Sequence, residues 1–266
     1  MMDKPTSPVS TPEIEDVFGD SDLADRHATR ASTLTAEWRR IGAFLRRPTL
    51  DVGPRSAAPM NVVAQIYALD MAIMTVLVLA ASIAVAMGVY LPKTALADIE
   101  FTPLVVALVV LGAPVFEELV FRSWLSGKLQ HILALFAFGA GFVGFGLAHS
   151  SGLLIGVGIL AAAALAAILA LVLLRGRPPM RWFRAIFPVM FWLATLSFAL
   201  IHLTNFEPAE GWSSLAVLLP LVLPQFVLGA LLGYLRVRIG LWAAMLLHAV
   251  HNATALSIAA LATLAG

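Results

Sequence analysis

The chain is 266 residues long, 60% hydrophobic and 12% charged, with a formal net charge of +1 and no cysteine. A soluble domain carries about 25% charged residues, so a water-facing surface is excluded for most of this chain, and a mean hydropathy of +0.91 sets lipid against it. The near-zero charge argues against nucleic-acid binding through a broad basic face, and the missing cysteines exclude disulfides, thiolate metal sites and a cysteine nucleophile.

Residues 1–60 form a polar tail that holds nine of the sixteen acids and eight of the seventeen bases. Its front, 1–32, reads as a disordered cytoplasmic segment. The stretch Leu34–Arg47 interleaves Trp38, Ile41, Phe44 and Leu45 with Arg39, Arg40, Arg46 and Arg47. It reads either as a short helix lying on an anionic membrane surface or as a linker. No cleavable leader is expected, because the first long apolar run starts only near Val62.

Residues 61–266 read as one all-α, polytopic transmembrane bundle. Seven apolar runs, near 62–91, 102–126, 131–149, 152–174, 186–206, 214–235 and 240–263, are long enough to cross a core of about 30 Å. The third and fourth, split by Ser150-Ser151-Gly152, could instead be re-entrant. Bases between the runs fall at Lys93, Arg122, Lys128, Arg175, Arg177, Arg181, Arg184, Arg236 and Arg238. All but Lys93 lie on the side of the amino-terminal tail. Basic residues collect in the cytoplasm, so the expectation is a multi-pass protein of the plasma membrane with its amino terminus cytoplasmic. Gly229 and Gly233, like Gly152 and Gly156, are small-residue steps that let helices approach.

Ionisable side chains inside spans are costly and point to function. Only four acids follow residue 100, and Glu117 and Glu118 sit inside the second run. Glu118 and Arg122 are i, i+4 on one helical face and can pair. Glu117 is rotated from them by about 100°, which leaves it available as a general base. Pro114 just ahead removes a helix hydrogen bond and predicts a kink. His202 ends the fifth run, and His248 and Asn252 share a face of the seventh at i, i+4. Counting about 1.5 Å per residue from the basic markers puts Glu117 and His248 at one depth and His202 too far out, unless its span begins at Pro188. His251 and His131 read as bystanders. Asp70, inside the first run, is expected to make a polar contact between helices with a partner the sequence does not name.

Together, Glu117-Glu118-x-x-x-Arg122, Phe198-x-x-x-His202 and His248-x-x-x-Asn252 resemble the motifs of the CAAX protease and bacteriocin-processing family of intramembrane endopeptidases. The flank Phe226-x-x-Gly229-x-x-x-Gly233-Tyr234-x-Arg236 is also similar. The likeness runs from about Pro103 to Leu256. It implies an all-α bundle around a cavity and cleavage of a membrane-associated peptide or protein substrate. Glu117 would activate water, with His202 assisting. His248 and Asn252 would stabilise the oxyanion, and Glu118 and Arg122 would support the site. Glu117, His202 and His248 would be the ligands if the site takes Zn²⁺, and a metal-free glutamate mechanism is also open. Phe145-Gly146-Leu147-Ala148-His149 is a rival second motif, with His149 the fallback for His202. Outside proteolysis, the same residues suit a non-catalytic membrane binding or immunity factor of the same fold, or a proton-relay transporter.

Overall fold

The computed structural model describes residues 34–53, 56–92, 94, 100–206 and 215–265. The segment 1–33 and its expected disorder lie outside them. The described residues are all-helical, apart from one isolated backbone bridge between Thr94 and Phe206. The helices are α1 (Leu34–Arg46), α2 (Pro59–Ala86), α3 (Pro103–Ser126), α4 (Leu129–Ala148), α5 (Leu153–Leu173), α6 (Arg181–Ile201), α7 (Leu215–Arg238) and α8 (Leu241–Ala265). Seven helices, α2 to α8, are long and apolar enough to cross a membrane.

Local chemistry sets several boundaries. Thr102 caps α3 by accepting a hydrogen bond from the Val105 amide at 3.3 Å, and Pro103 follows at the first helical position, where its missing N–H costs nothing. Gly127 turns the chain from α3 into α4 with a φ of 66°, a conformation that favours glycine. Its carbonyl accepts from the Met180 amide at 2.9 Å, which ties this turn to the start of α6. The fifth span begins earlier than expected. Pro188 lies inside α6 rather than at its start, so the later start that would have drawn His202 to the depth of the other two residues does not hold. The third and fourth runs are full helices, α4 and α5, packed as an antiparallel pair. A methyl at Gly141 would come within 2.5 Å of Ala163 Cβ, and one at Gly156 within 2.8 Å of Phe145. Small residues therefore set this close approach.

The core gathers on α7. Leu228, Ala230, Leu231, Leu232, Tyr234 and Leu235 are buried there, facing Phe183, Phe187, Phe191 and Phe198 of α6 and Ala243, Ala244 and Leu247 of α8. Gly233 accommodates the Phe191 ring, which a methyl at that position would meet at 2.6 Å. In contrast, α4 and α5 leave Phe136, Val143, Leu147, Leu154 and Leu173 exposed on the outer surface, as a lipid-facing pair should.

The stretch expected as a surface helix or linker is a helix, and it is docked on the bundle. Ile41 and Phe44 of α1 are buried in the core, with Phe44 edge-on to Phe191 and Tyr234. Glu37 is fully buried. It accepts from the Tyr234 hydroxyl, lies 2.9 Å from Arg40 and stands 3.6 Å from Arg238.

Candidate active site

The site is assembled from α3, α6 and α8 around an irregular stretch of α3. That helix is α-helical over Pro103–Ala107, π-helical over Leu108–Gly112 and α-helical again over Ala113–Arg122, and it closes in a 3-10 turn, Ser123–Ser126. Pro114 lacks the N–H that would serve a carbonyl one turn earlier. π-turns of this kind concentrate at functional sites. Asn252 answers the disturbance from across the bundle, its Nδ2 donating to the Val109 carbonyl at 2.9 Å. The expected pairing of Asn252 with His248 on a single ligand is thus only partly available, because this N–H is already engaged in fastening α8 to α3.

Glu118 is fully buried and Arg122 is 1% exposed. Arg122 Nη1 donates to Glu118 Oε1 at 2.7 Å, forming the expected i, i+4 pair within the span. Arg122 is therefore not a loop base, and it drops out of the charge count that set the orientation. The same Oε1 accepts from His248 Nδ1 at 3.0 Å. The Arg122 guanidinium also lies over the Phe198 ring, 3.8 Å from its centroid, a cation–π contact that a dry interior strengthens. Phe198 in turn stands 4.6 Å from the His202 ring and 5.6 Å from that of His248. Gly229 makes room for this stack, since a methyl there would lie 3.1 Å from Phe198 and 3.3 Å from Arg122 Nη2.

Glu117 takes the other direction. Its side chain keeps 25% exposure, and its Oε2 is 3.7 Å from His202 Nε2 and 3.8 Å from His248 Nε2. That Oε2 is buried with no hydrogen-bond partner. His202 Nδ1 donates to the Phe198 carbonyl at 2.7 Å, as His248 Nδ1 does to Glu118. With Nδ1 carrying the hydrogen in both rings, each neutral imidazole directs an Nε2 lone pair toward the glutamate. Three acceptor atoms thus converge, and a small donor between them could satisfy two at a time. A water molecule has the size and the two hydrogens for that position.

The same three atoms were the expected Zn²⁺ ligands. Donors sharing a tetrahedral ion at about 2.0–2.1 Å stand roughly 3.4 Å apart. The observed separations are wider, and among the described residues no group of three His, Asp or Glu side chains is arranged to hold an ion.

His202 is the motif histidine brought to Glu117. The backbone of the rival, His149, opens a 3-10 turn beyond α4, and its side chain lies outside those described. Two parts of the arrangement escaped the sequence reading. Arg236 donates from Nε to the Arg122 carbonyl at 2.9 Å and from Nη2 to the Ser123 carbonyl at 3.1 Å, capping the helix end that carries both acids. Its place in the flank Tyr234-x-Arg236 was the available signal. His251 is not a bystander to the packing, because its Nδ1 donates to Asp70 Oδ2 at 2.7 Å. This supplies the partner Asp70 lacked and joins α2 to α8, about one turn from which Tyr67 and Thr254 also meet at 2.7 Å. His131 bonds Ser126 Oγ at 2.7 Å, away from the acids.

Comparison with curated proteins finds no match, and neither does comparison with solved structures. A family profile described as Rce1-like, type II CAAX prenyl endopeptidase, matches residues 99–180 and 177–254. The match spans more than half of the chain and contains every residue of the site just described, and the chain therefore belongs to the Rce1-like type II CAAX prenyl endopeptidase family.

Proposed function

We propose that this chain is an intramembrane endopeptidase in which Glu117 activates water against a peptide bond of a membrane-associated substrate. The observation that carries the reading is the convergence of His202 Nε2 and His248 Nε2 on the unpartnered Oε2 of Glu117. In the reaction, Glu117 takes a proton from water as the water oxygen bonds to the scissile carbonyl carbon. The carbonyl oxygen becomes an oxyanion. Collapse of this intermediate breaks the C–N bond, and Glu117 returns its proton to the leaving nitrogen. The Nε2 lone pair of His202 or His248 would accept the other hydrogen of the water and aim its oxygen at the carbonyl carbon. Glu118 fixes the orientation of His248, and Arg122 balances the charge of Glu118. No step uses a metal. Lys128 after α3, Arg175 and Arg177 after α5, Arg181 and Arg184 opening α6, and Arg236 and Arg238 closing α7 support a cytoplasmic placing for that end of the bundle on the positive-inside pattern.

The test is cleavage of a membrane-anchored peptide library by detergent-purified protein. Glu117→Gln keeps the shape of the side chain but cannot take the proton, and it should lose about 10²- to 10⁴-fold in rate while melting with the wild type. Equal cleavage by the folded variant would refute the assignment.

A further inference from the structure

Two cavities adjoin at the end of the bundle that carries the basic residues, and their chemistry is opposite. One, of about 520 Å³, is lined by Asp51, Ser126, Lys128, His131, Arg184 and Arg236 among others. The other, of about 470 Å³, is lined mainly by apolar side chains including Leu119, Val120, Leu135, Phe138 and Leu171. His131 and Arg236 line both. We propose that this pair of cavities binds one anionic phospholipid, with its phosphate in the basic cavity and an acyl chain in the apolar one.

Charge supports the first half. Lys128, Arg184 and Arg236 bring three cations against the single carboxylate of Asp51, and among the described residues none of the three makes an ion pair. Arg236 directs Nε and Nη2 to backbone carbonyls, so its positive charge is anchored without being neutralised. Basic pockets between transmembrane helices at this depth suit phosphate headgroups. Depth supports the second half. The basic cavity is walled by helix ends and turns: Ser126 and Lys128 between α3 and α4, Pro179 before α6, and Val237 at the end of α7. The apolar cavity reaches Phe138, nine residues into α4 from Leu129, which is roughly 14 Å along a helix. A free phosphate would use only the first cavity. A double-tailed amphiphile with an anionic head accounts for both and for their contact. Arg236 also connects the lipid to the chemistry, since it holds the carbonyl of Arg122, whose side chain pairs with Glu118.

The experiment is native mass spectrometry and thermal melting of the full chain in detergent. The added probes are phosphatidylglycerol, phosphatidylcholine with the same acyl chains, and inorganic phosphate. Phosphatidylglycerol should bind at least tenfold more tightly than phosphatidylcholine and raise the melting temperature. The double substitution Lys128→Gln and Arg184→Gln should remove that preference. Ala167→Phe, which fills the apolar cavity, should weaken phosphatidylglycerol at least fivefold from the other side, so a folding failure of either variant leaves the other to decide. Inorganic phosphate that protects as well as the lipid would overturn the proposal in favour of a simple anion site. Equal binding of the two lipids, or phosphatidylglycerol binding unmoved in the folded variants, would overturn it outright. Glu117→Gln should bind phosphatidylglycerol like the wild type, which separates this result from the fate of the protease reading.

Discussion

Removing the charge of Glu118 should damage the fold more than removing that of Glu117, although the two acids are neighbours. Glu118 Oε1 accepts from Arg122 Nη1 at 2.7 Å and from His248 Nδ1 at 3.0 Å, and both glutamate and arginine are shielded from solvent. Glu118→Gln leaves the Arg122 guanidinium buried without a counter-ion. Breaking a buried pair from one side costs about 3–5 kcal/mol. Replacing both partners by apolar residues of similar size removes the orphaned charge and is often close to neutral. Here it still strands the His248 Nδ1–H, at about 1–3 kcal/mol. The double variant Glu118→Met, Arg122→Met should therefore be more stable than Glu118→Gln by about 2 kcal/mol. It should be inactive all the same, because nothing fixes the His248 ring. Unfolding in mixed micelles, followed by tryptophan fluorescence, measures both differences. The reasoning fails if Glu118→Gln is as stable as the wild type, or if the double variant is no better than the single one.

Other outcomes follow from the packing. Gly233→Ala places a methyl 2.6 Å from Phe191 and should cost about 1–3 kcal/mol by overpacking. Gly158→Ala, which meets nothing within 4 Å, should melt with or above the wild type in the same assay. Asp70→Asn and His251→Gln each disturb one bond, so a double-mutant cycle should show their losses to be less than additive by 0.5 kcal/mol or more, on the order seen for residues in contact. Prolonged treatment with EDTA should leave peptide cleavage unchanged, since the wide spacing of Glu117, His202 and His248 supports a reaction without zinc. Loss of activity restored by Zn²⁺ would show that these side chains close around an ion.

Much of this was legible in the chain because spans and motifs obey strong local rules. Apolar runs found all seven crossing helices, and the i, i+4 spacing found the Glu118–Arg122 pair, since both depend on a single helix. What was missed depends on partners distant in sequence. Asp70 and His251 are 181 residues apart, and Asn252 and Val109 are 143 apart. No local pattern announces such bonds. Burial of α1 was obscured for a similar reason. Its arginines advertise a membrane surface, whereas Glu37, the residue that decides, meets Tyr234 and Arg238 on a helix nearly two hundred positions later. The depth count failed at His202 because it assumed upright spans that start at a common plane: α6 begins at Arg181, even farther from His202 along the helix, and His202 still meets Glu117.

The five-residue winding at Leu108–Gly112 has a bearing on how α3 is phased. A wide turn accommodates one position more than an α-turn, and one position corresponds to about 100° of azimuth. The segment that enters at Pro103 and the segment that leaves at Ala113 thus belong to two different helical wheels. A single wheel drawn through all of α3 would misassign which side chains look toward lipid, and would swing both acids a quarter turn from the histidines they meet. The aim of the Glu117 carboxylate is set by a backbone irregularity upstream of it, bridged by an amide on the last helix.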